Sequence, residues 1–254
     1  MQLGLLLCDH IDSDFSRVGG DYPELFRECI GAVAPKAQLQ VYDVHRQQFP
    51  DEDTRLDGWI ISGARFDAFG RYPWLERLKT CVRRLLEQGQ RIAGVCFGHQ
   101  LLALMHGGEV ARAPVGWGIG NHDYRWRQQA AGPGQAEGFR LLVSHQDQVL
   151  SLPERARVLA GSDFCPHAAF TLDDQVIGVQ GHPEFTPAYS RFLIEQRKDR
   201  FSDGLYRQAL DSLNQGHDGQ AVMHLLLDFL TSPSSPQSGG RQDGHRDPQG
   251  NQKP

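Results

Sequence analysis

The sequence predicts an α/β fold with a mostly parallel central sheet flanked by helices, and three observations carry that expectation. Short apolar runs alternate with amphipathic stretches along the first part of the chain, the signature of strands and helices taken in turn. One amphipathic stretch, between two such runs, has complete helix punctuation. Beyond Gly107-Gly108 the apolar runs shorten and turn-forming residues crowd between them, which predicts an antiparallel strand section in the second half.

The elements follow in order. Met1-Gln2-Leu3-Gly4-Leu5-Leu6-Leu7 is apolar but short, with neither a basic start nor a small-residue cleavage site, so it predicts a buried strand over 3–7 and not a leader peptide. Further strands are expected over 39–42, 58–61 and 92–95. Between the last two, Leu75, Leu78, Val82, Leu85 and Leu86 recur at helical spacing, with Pro73 suited to the first turn and Gly89 to the C-terminal cap. In the second half the expected strands are 139–143, 158–160, 168–172 and 176–180, the last two joined by a turn at Asp173-Asp174. Helices resume at Thr186-Pro187, a cap followed by a first-turn proline, and around 220–230. From Thr231 onward no large apolar side chain occurs, so 1–230 is expected to form one domain and 231–254 a disordered tail.

Composition narrows the function. Hydrophobic residues make up 39% of the 254 and charged residues 22%, ordinary globular usage. A net charge of −5 gives no electrostatic reason to expect nucleic acid, local basic patches aside, and no stretch approaches the roughly 20 apolar residues that cross a bilayer. The protein is expected to be cytoplasmic, without a nucleic-acid or membrane partner. Five scattered cysteines without a C-x-x-C pair suggest neither a disulfide framework nor a zinc site. Neither a P-loop nor a dinucleotide fingerprint occurs, so no cofactor and no metal are expected.

Two segments carry chemistry. In Gly94-Val95-Cys96-Phe97-Gly98 a buried strand runs into a cysteine flanked two residues away on both sides by glycine, and a helix begins at once. Small residues there permit a strained turn that presents the side chain, and the helix N-terminus favours negative charge on sulfur. Taken alone, the pattern also fits a tight strand-to-helix turn holding a buried thiol. The second segment, Gly178-Val179-Gln180-Gly181-His182-Pro183-Glu184-Phe185, puts His182 at a strand end and Glu184 two residues on, on the same side if the chain stays extended. A thiol nucleophile needs an imidazole, and the imidazole needs a carboxylate to fix its tautomer.

Together, in this order, the two segments resemble the class I glutamine amidotransferase family over roughly residues 3–200. The resemblance implies a flavodoxin-like class I glutamine amidotransferase fold and a triad of Cys96 as nucleophile, His182 as general base and acid, and Glu184 as orienting carboxylate. It further implies an oxyanion hole from backbone near Gly63, in Ile60-Ile61-Ser62-Gly63-Ala64, with Phe97. Ala64 stands where the family often has a second glycine. Gln100 corresponds to a substrate-holding glutamine, and Ser144-His145-Gln146-Asp147-Gln148-Val149 to the segment that recognises the α-amino and carboxylate groups, with His145 either structural or in contact. The run 67–70, the Gly98-His99-Gln100 form of the elbow and 116–120 look most like the stand-alone branch that includes γ-glutamyl peptidases.

The implied reaction is acyl transfer through a thioester on a γ-glutamyl amide. If ammonia leaves glutamine, a separate synthetase partner must accept it; if a peptide or amine leaves, the protein is a stand-alone γ-glutamyl hydrolase; a third possibility is a non-catalytic sensor on the same fold. Asp9, His10, Asp12 and Asp14 follow the first strand as a metal or substrate site or as a solvated loop. His217, His224 and His245 read as surface or tail residues, and Arg83-Arg84 as the wet face of a helix.

Overall fold

The computed structural model describes residues 1–127 and 137–232. The chain opens with β1 (Gln2–Leu7), α1 (Ser13–Gly19), α2 (Tyr22–Val33), β2 (Gln38–Asp43), β3 (Gly58–Ile61), α3 (Pro73–Glu87), β4 (Ile92–Val95) and α4 (Phe97–Met105). It continues with β5 (Glu109–Arg112), β6 (Gly118–Trp126), β7 (Gly138–His145), β8 (Asp147–Ser151), β9 (Ala156–Gly161), β10 (Ala169–Leu172) and β11 (Val176–Val179). Helices α5 (Pro187–Gln196), α6 (Asp203–Ser212) and α7 (Gly219–Thr231) complete it.

Nine strands form one sheet in the order β2-β1-β3-β4-β11-β10-β9-β6-β7. The first five are parallel, and from β11 onward every neighbour is antiparallel. The α/β expectation and the antiparallel second half are both met. A small antiparallel pair, β5 with β8, lies apart.

The central strands are apolar on both faces because both faces are covered. Leu3, Leu5, Ile60 and Val95 join a core with Phe26 of α2 and Met223 and Leu226 of α7. Leu6, Trp59, Ile61 and Ile92 join the other, with Leu78 and Val82 of α3 and Leu101 of α4. Helix α2 begins in a capping box, Asp21 with Glu24, and Pro23 sits in its first turn. Helix α3 starts at Pro73, and Gly89, at φ +76°, follows its end as expected. Asp173 takes φ 51° in the tight turn between β10 and β11. Helix α7 includes Thr231, and the Arg91 guanidinium donates to the carbonyls of Phe229 and Ser232 at its end. The rest of the expected tail, 233–254, and His245 with it, lies outside the described residues. Among the described residues no helix is long and apolar enough to cross a membrane.

Candidate active site

The edge of the sheet where β3, β4 and β11 end carries most of the residues singled out above. β4 and β11 run parallel with Val95 opposite Val179, and the N–H of Cys96 donates to the carbonyl of Val179 at 2.9 Å. The residues that follow the paired valines, Cys96 and Gln180, therefore lie side by side. Cys96 itself has φ 50° and ψ −99°, a conformation that costs a residue bearing a side chain roughly 1–3 kcal/mol. The flanking glycines explain how the chain gets there. A Cβ on Gly94 would lie 2.4 Å from the carbonyl carbon of Gly98, and one on Gly98 would lie 2.5 Å from the carbonyl oxygen of Ile61. The strand and helix thus approach backbone to backbone. Helix α4 starts at Phe97, so its positive end faces the Cys96 sulfur.

The other four cysteines make poor nucleophiles. Burial pushes the thiols of Cys29 and Cys165 up to about 12, raises that of Cys8 further and raises that of Cys81 as well.

His182 meets Cys96 from the neighbouring strand end. Its N–H donates to the carbonyl of Leu142 at 2.9 Å, its ring stacks on Phe185 with centroids 3.7 Å apart, and its Nδ1 lies 2.8 Å from Oε1 of Glu184. Nδ1 being committed to Glu184, the other ring nitrogen is left free to serve Cys96. Both His182 and Glu184 are buried. Burial opposes the imidazolium, but the charges of Glu184 and Cys96 and their hydrogen bonds outweigh it and raise His182 to about 10.

Gln180, which neither motif marks as functional, is fully buried and completes the cluster. Its Nε2 donates to the Cys96 sulfur at 3.6 Å, and its Oε1 accepts from Gln100 Nε2 at 3.1 Å. The available signal is its place in the chain: 180, 182 and 184 share one side of an extended segment.

The residues expected to form an oxyanion hole lie against this pair. A Cβ on Gly63 would stand 2.7 Å from Cε1 of His182 and 3.6 Å from Cβ of Cys96. Ser62 Oγ accepts from the N–H of Cys8 and donates to the carbonyl of Gly63, both at 2.9 Å. In a trans peptide this turns the next N–H, that of Ala64, the opposite way. The N–H of Phe97, first in its helix, has no intrahelical acceptor.

Cys96, Gln100, Ser144, His145 and His182 line one cleft of about 710 Å³. Phe97 and Glu184 are buried behind it. Gln100 spends its Nε2 on the carbonyl of Asp147 (2.8 Å) as well as on Gln180. Ser144 Oγ accepts from Arg197 Nη1 at 2.9 Å. His145 is buried, which lowers it to about 3, so it is neutral; its Nδ1 faces the carbonyl of Asp147 at 3.2 Å.

The acidic loop after β1 separates into distinct roles. Asp9 is buried and held by the guanidinium of Arg65, Nη2 to Oδ1 at 2.8 Å. His10 bridges two carboxylates, Nδ1 to Asp21 at 2.5 Å and Nε2 to Asp43 at 2.8 Å. Asp12 caps α1, and Asp14 is exposed in its first turn. The described residues contain no group of three or more His, Cys, Asp or Glu arranged to hold a metal ion.

Comparison with known proteins gives the family and the fold. The family model for glutamine amidotransferase class-I matches residues 27–196. Gamma-glutamyl peptidase 2 of Arabidopsis thaliana is 32% identical, over 85% of this chain and 90% of that protein. A glutamine-hydrolyzing GMP synthase subunit of Methanocaldococcus jannaschii is 33% identical, over 65% of this chain and 84% of that protein. Among solved structures, a glutamine amidotransferase from Thermotoga maritima superposes with a TM-score of 0.68 at 19% identity, covering 91% of this chain and 99% of that one.

Proposed function

The chain belongs to the class I glutamine amidotransferase family, and from that premise we propose that it hydrolyses γ-glutamyl amides, with Cys96 as nucleophile, His182 as base and acid, and Glu184 holding the imidazole. The observation that carries this reading is the buried His182–Glu184 pair, at 2.8 Å, set beside a strained cysteine at the N-cap position of a helix.

Cys96 passes its proton to His182 and its sulfur attacks the γ-carbonyl, whose oxygen gathers negative charge against the backbone N–H groups around Gly63 and Phe97. His182 gives its proton to the departing nitrogen, and the C–N bond breaks to leave a γ-glutamyl thioester on Cys96. His182, now neutral, takes a proton from water as the water attacks the thioester. The C–S bond breaks, glutamate leaves, and His182 returns the proton to the Cys96 sulfur. Gln180 and Gln100 fix the sulfur and the floor of the glutamyl site.

For the leaving group we favour an amino acid or peptide over ammonia. A cleft of about 710 Å³ is of the size that holds drug-sized ligands, far more than a departing ammonia needs. A relative matched over 90% of its own length is named a γ-glutamyl peptidase. The second reading, glutaminase action for a separate synthetase, draws on the relative named for its part in GMP synthase.

The test is to assay the purified chain and its Cys96→Ala variant against free glutamine and a panel of γ-glutamyl dipeptides. Cys96-dependent release of glutamate, faster from dipeptides, is the expected result. Faster release from glutamine favours the ammonia donor. A glutamine-analogue electrophile that labels Cys96 no faster than Cys8 or Cys81 makes the protein a non-catalytic sensor.

A further inference from the structure

Four arginines line the cleft, and they are not equivalent. Arg65 is held by Asp9, and Arg112 leans on Asp147, Nε to Oδ1 at 3.4 Å. Arg197 and Arg200 meet no carboxylate among the described residues. Arg197 is half-buried at the end of α5, and the acceptor it reaches is neutral, the hydroxyl of Ser144 at 2.9 Å. Its charge is therefore aimed but not neutralised. Arg200 stands three residues on, in the short turn Lys198–Arg200, and adds to the same positive corner. In a chain of net charge −5, a guanidinium steadied in a cleft without a counter-ion is poised for an anion brought by the ligand. Ser144 also places it beside His145, which is neutral and does not compete for that anion.

Resting on the γ-glutamyl hydrolase reading above, we propose that Arg197, steadied by Ser144, binds a carboxylate of the substrate. The substrate class is then a γ-glutamyl compound whose anion reaches this corner, and two carboxylates qualify: the α-carboxylate of the glutamyl group, and that of an amino-acid or peptide leaving group. The competing explanation is structural, a cation that merely complements the C-terminal end of α5.

The two separate in kinetics on the full chain. With γ-glutamylglycine, Arg197→Gln should raise KM by about tenfold or more with kcat within about twofold, as for loss of one charge-assisted contact made equally in ground and transition states. Arg197→Lys should recover part of the loss. The KM penalty should vanish on γ-glutamylglycinamide if the leaving-group carboxylate is read, or on the α-carboxamide of γ-glutamylglycine if the glutamyl end is read. An unchanged KM, or an equal penalty on all three compounds, overturns the proposal. The same comparison is made as binding, by titrating γ-glutamylglycine into Cys96→Ala with and without Arg197→Gln. Arg197-dependent binding without turnover by the wild type would overturn the hydrolase reading alone. Cys96-dependent turnover with Arg197-independent binding would overturn the arginine alone.

Discussion

The two halves of the sheet contribute different things to the candidate site. From the parallel half come Gly63 after β3, Cys96 after β4 and, at the seam, Gln180 and His182 after β11, all on short strands buried on both faces. From the antiparallel half come Ser144 and His145 at the end of β7, a longer strand in which half-exposed Gly138, Arg140 and Ser144 interrupt the buried residues. The groups proposed to react stand on closely packed backbone, whereas the proposed recognition wall stands on a strand that keeps half-exposed positions. Substitutions in the first half should therefore act on kcat and on folding, and those on the second wall mainly on KM.

The largest expected effect is that of Cys96→Ala, a loss of kcat of at least ~10³-fold with the fold intact. Turnover of the purified variant on a γ-glutamyl dipeptide measures it, and near-normal turnover would move the nucleophile elsewhere. Glu184→Gln comes next, with a loss on the order of 10²–10⁴-fold, since the imidazole loses both its orientation and its counter-charge. It should also move the pH profile. His182 is raised from 6.5 to about 10, with Glu184 first among the groups that raise it. A group raised in this way supplies stability in full below its unfolded value and loses it as pH climbs through the folded one. In Glu184→Gln the alkaline edge of activity, and the alkaline loss of stability, should both shift to lower pH. An edge that stays in place would remove Glu184 from the pair.

Gly98→Ala tests the rigidity of the parallel half. Its Cβ would stand 2.5 Å from the Ile61 carbonyl oxygen, which is backbone and cannot swing aside. A cost of about 1–3 kcal/mol in chemical denaturation is expected. The smallest effect belongs to His10, whose imidazole is raised above 6.5: burial opposes the charge, and Asp21 and Asp43 more than restore it. Arg46 also reaches Asp43, at 3.6 Å, and Arg65 reaches Asp9 next door. His10→Gln should lower the melting temperature modestly below pH 6.5, with the gap to the wild type closing as pH rises through the folded value of His10. A gap independent of pH would show that the ring only fills space.

How much of this is legible in the sequence depends on how local each signal is. The bounds of β3 and β4 and the start of α3 follow from contiguous apolar runs and one proline, and Cys96, His182 and Glu184 stand in two short motifs. Helix α2 is absent from the expected elements although Asp21, Pro23 and Glu24 announce its start and Leu25, Phe26 and Ile30 its buried face. β6 is hidden because Asn121, His122, Asp123 and Arg125 leave it without an apolar run, its buried residues being supplied by contact with β7. Gln180 at the sulfur, the carboxylates on either side of His10 and Arg197 beside Ser144 are products of register and packing between distant segments. No spacing along one segment specifies them.

The backbone at position 96 has one further consequence. A glycine there would relax the turn at little conformational cost, so the inert protein should withstand heat better than the working one. Anyone evolving this chain for thermal robustness without an activity check should expect glycine to be enriched at that codon, and should treat that enrichment as counterfeit improvement.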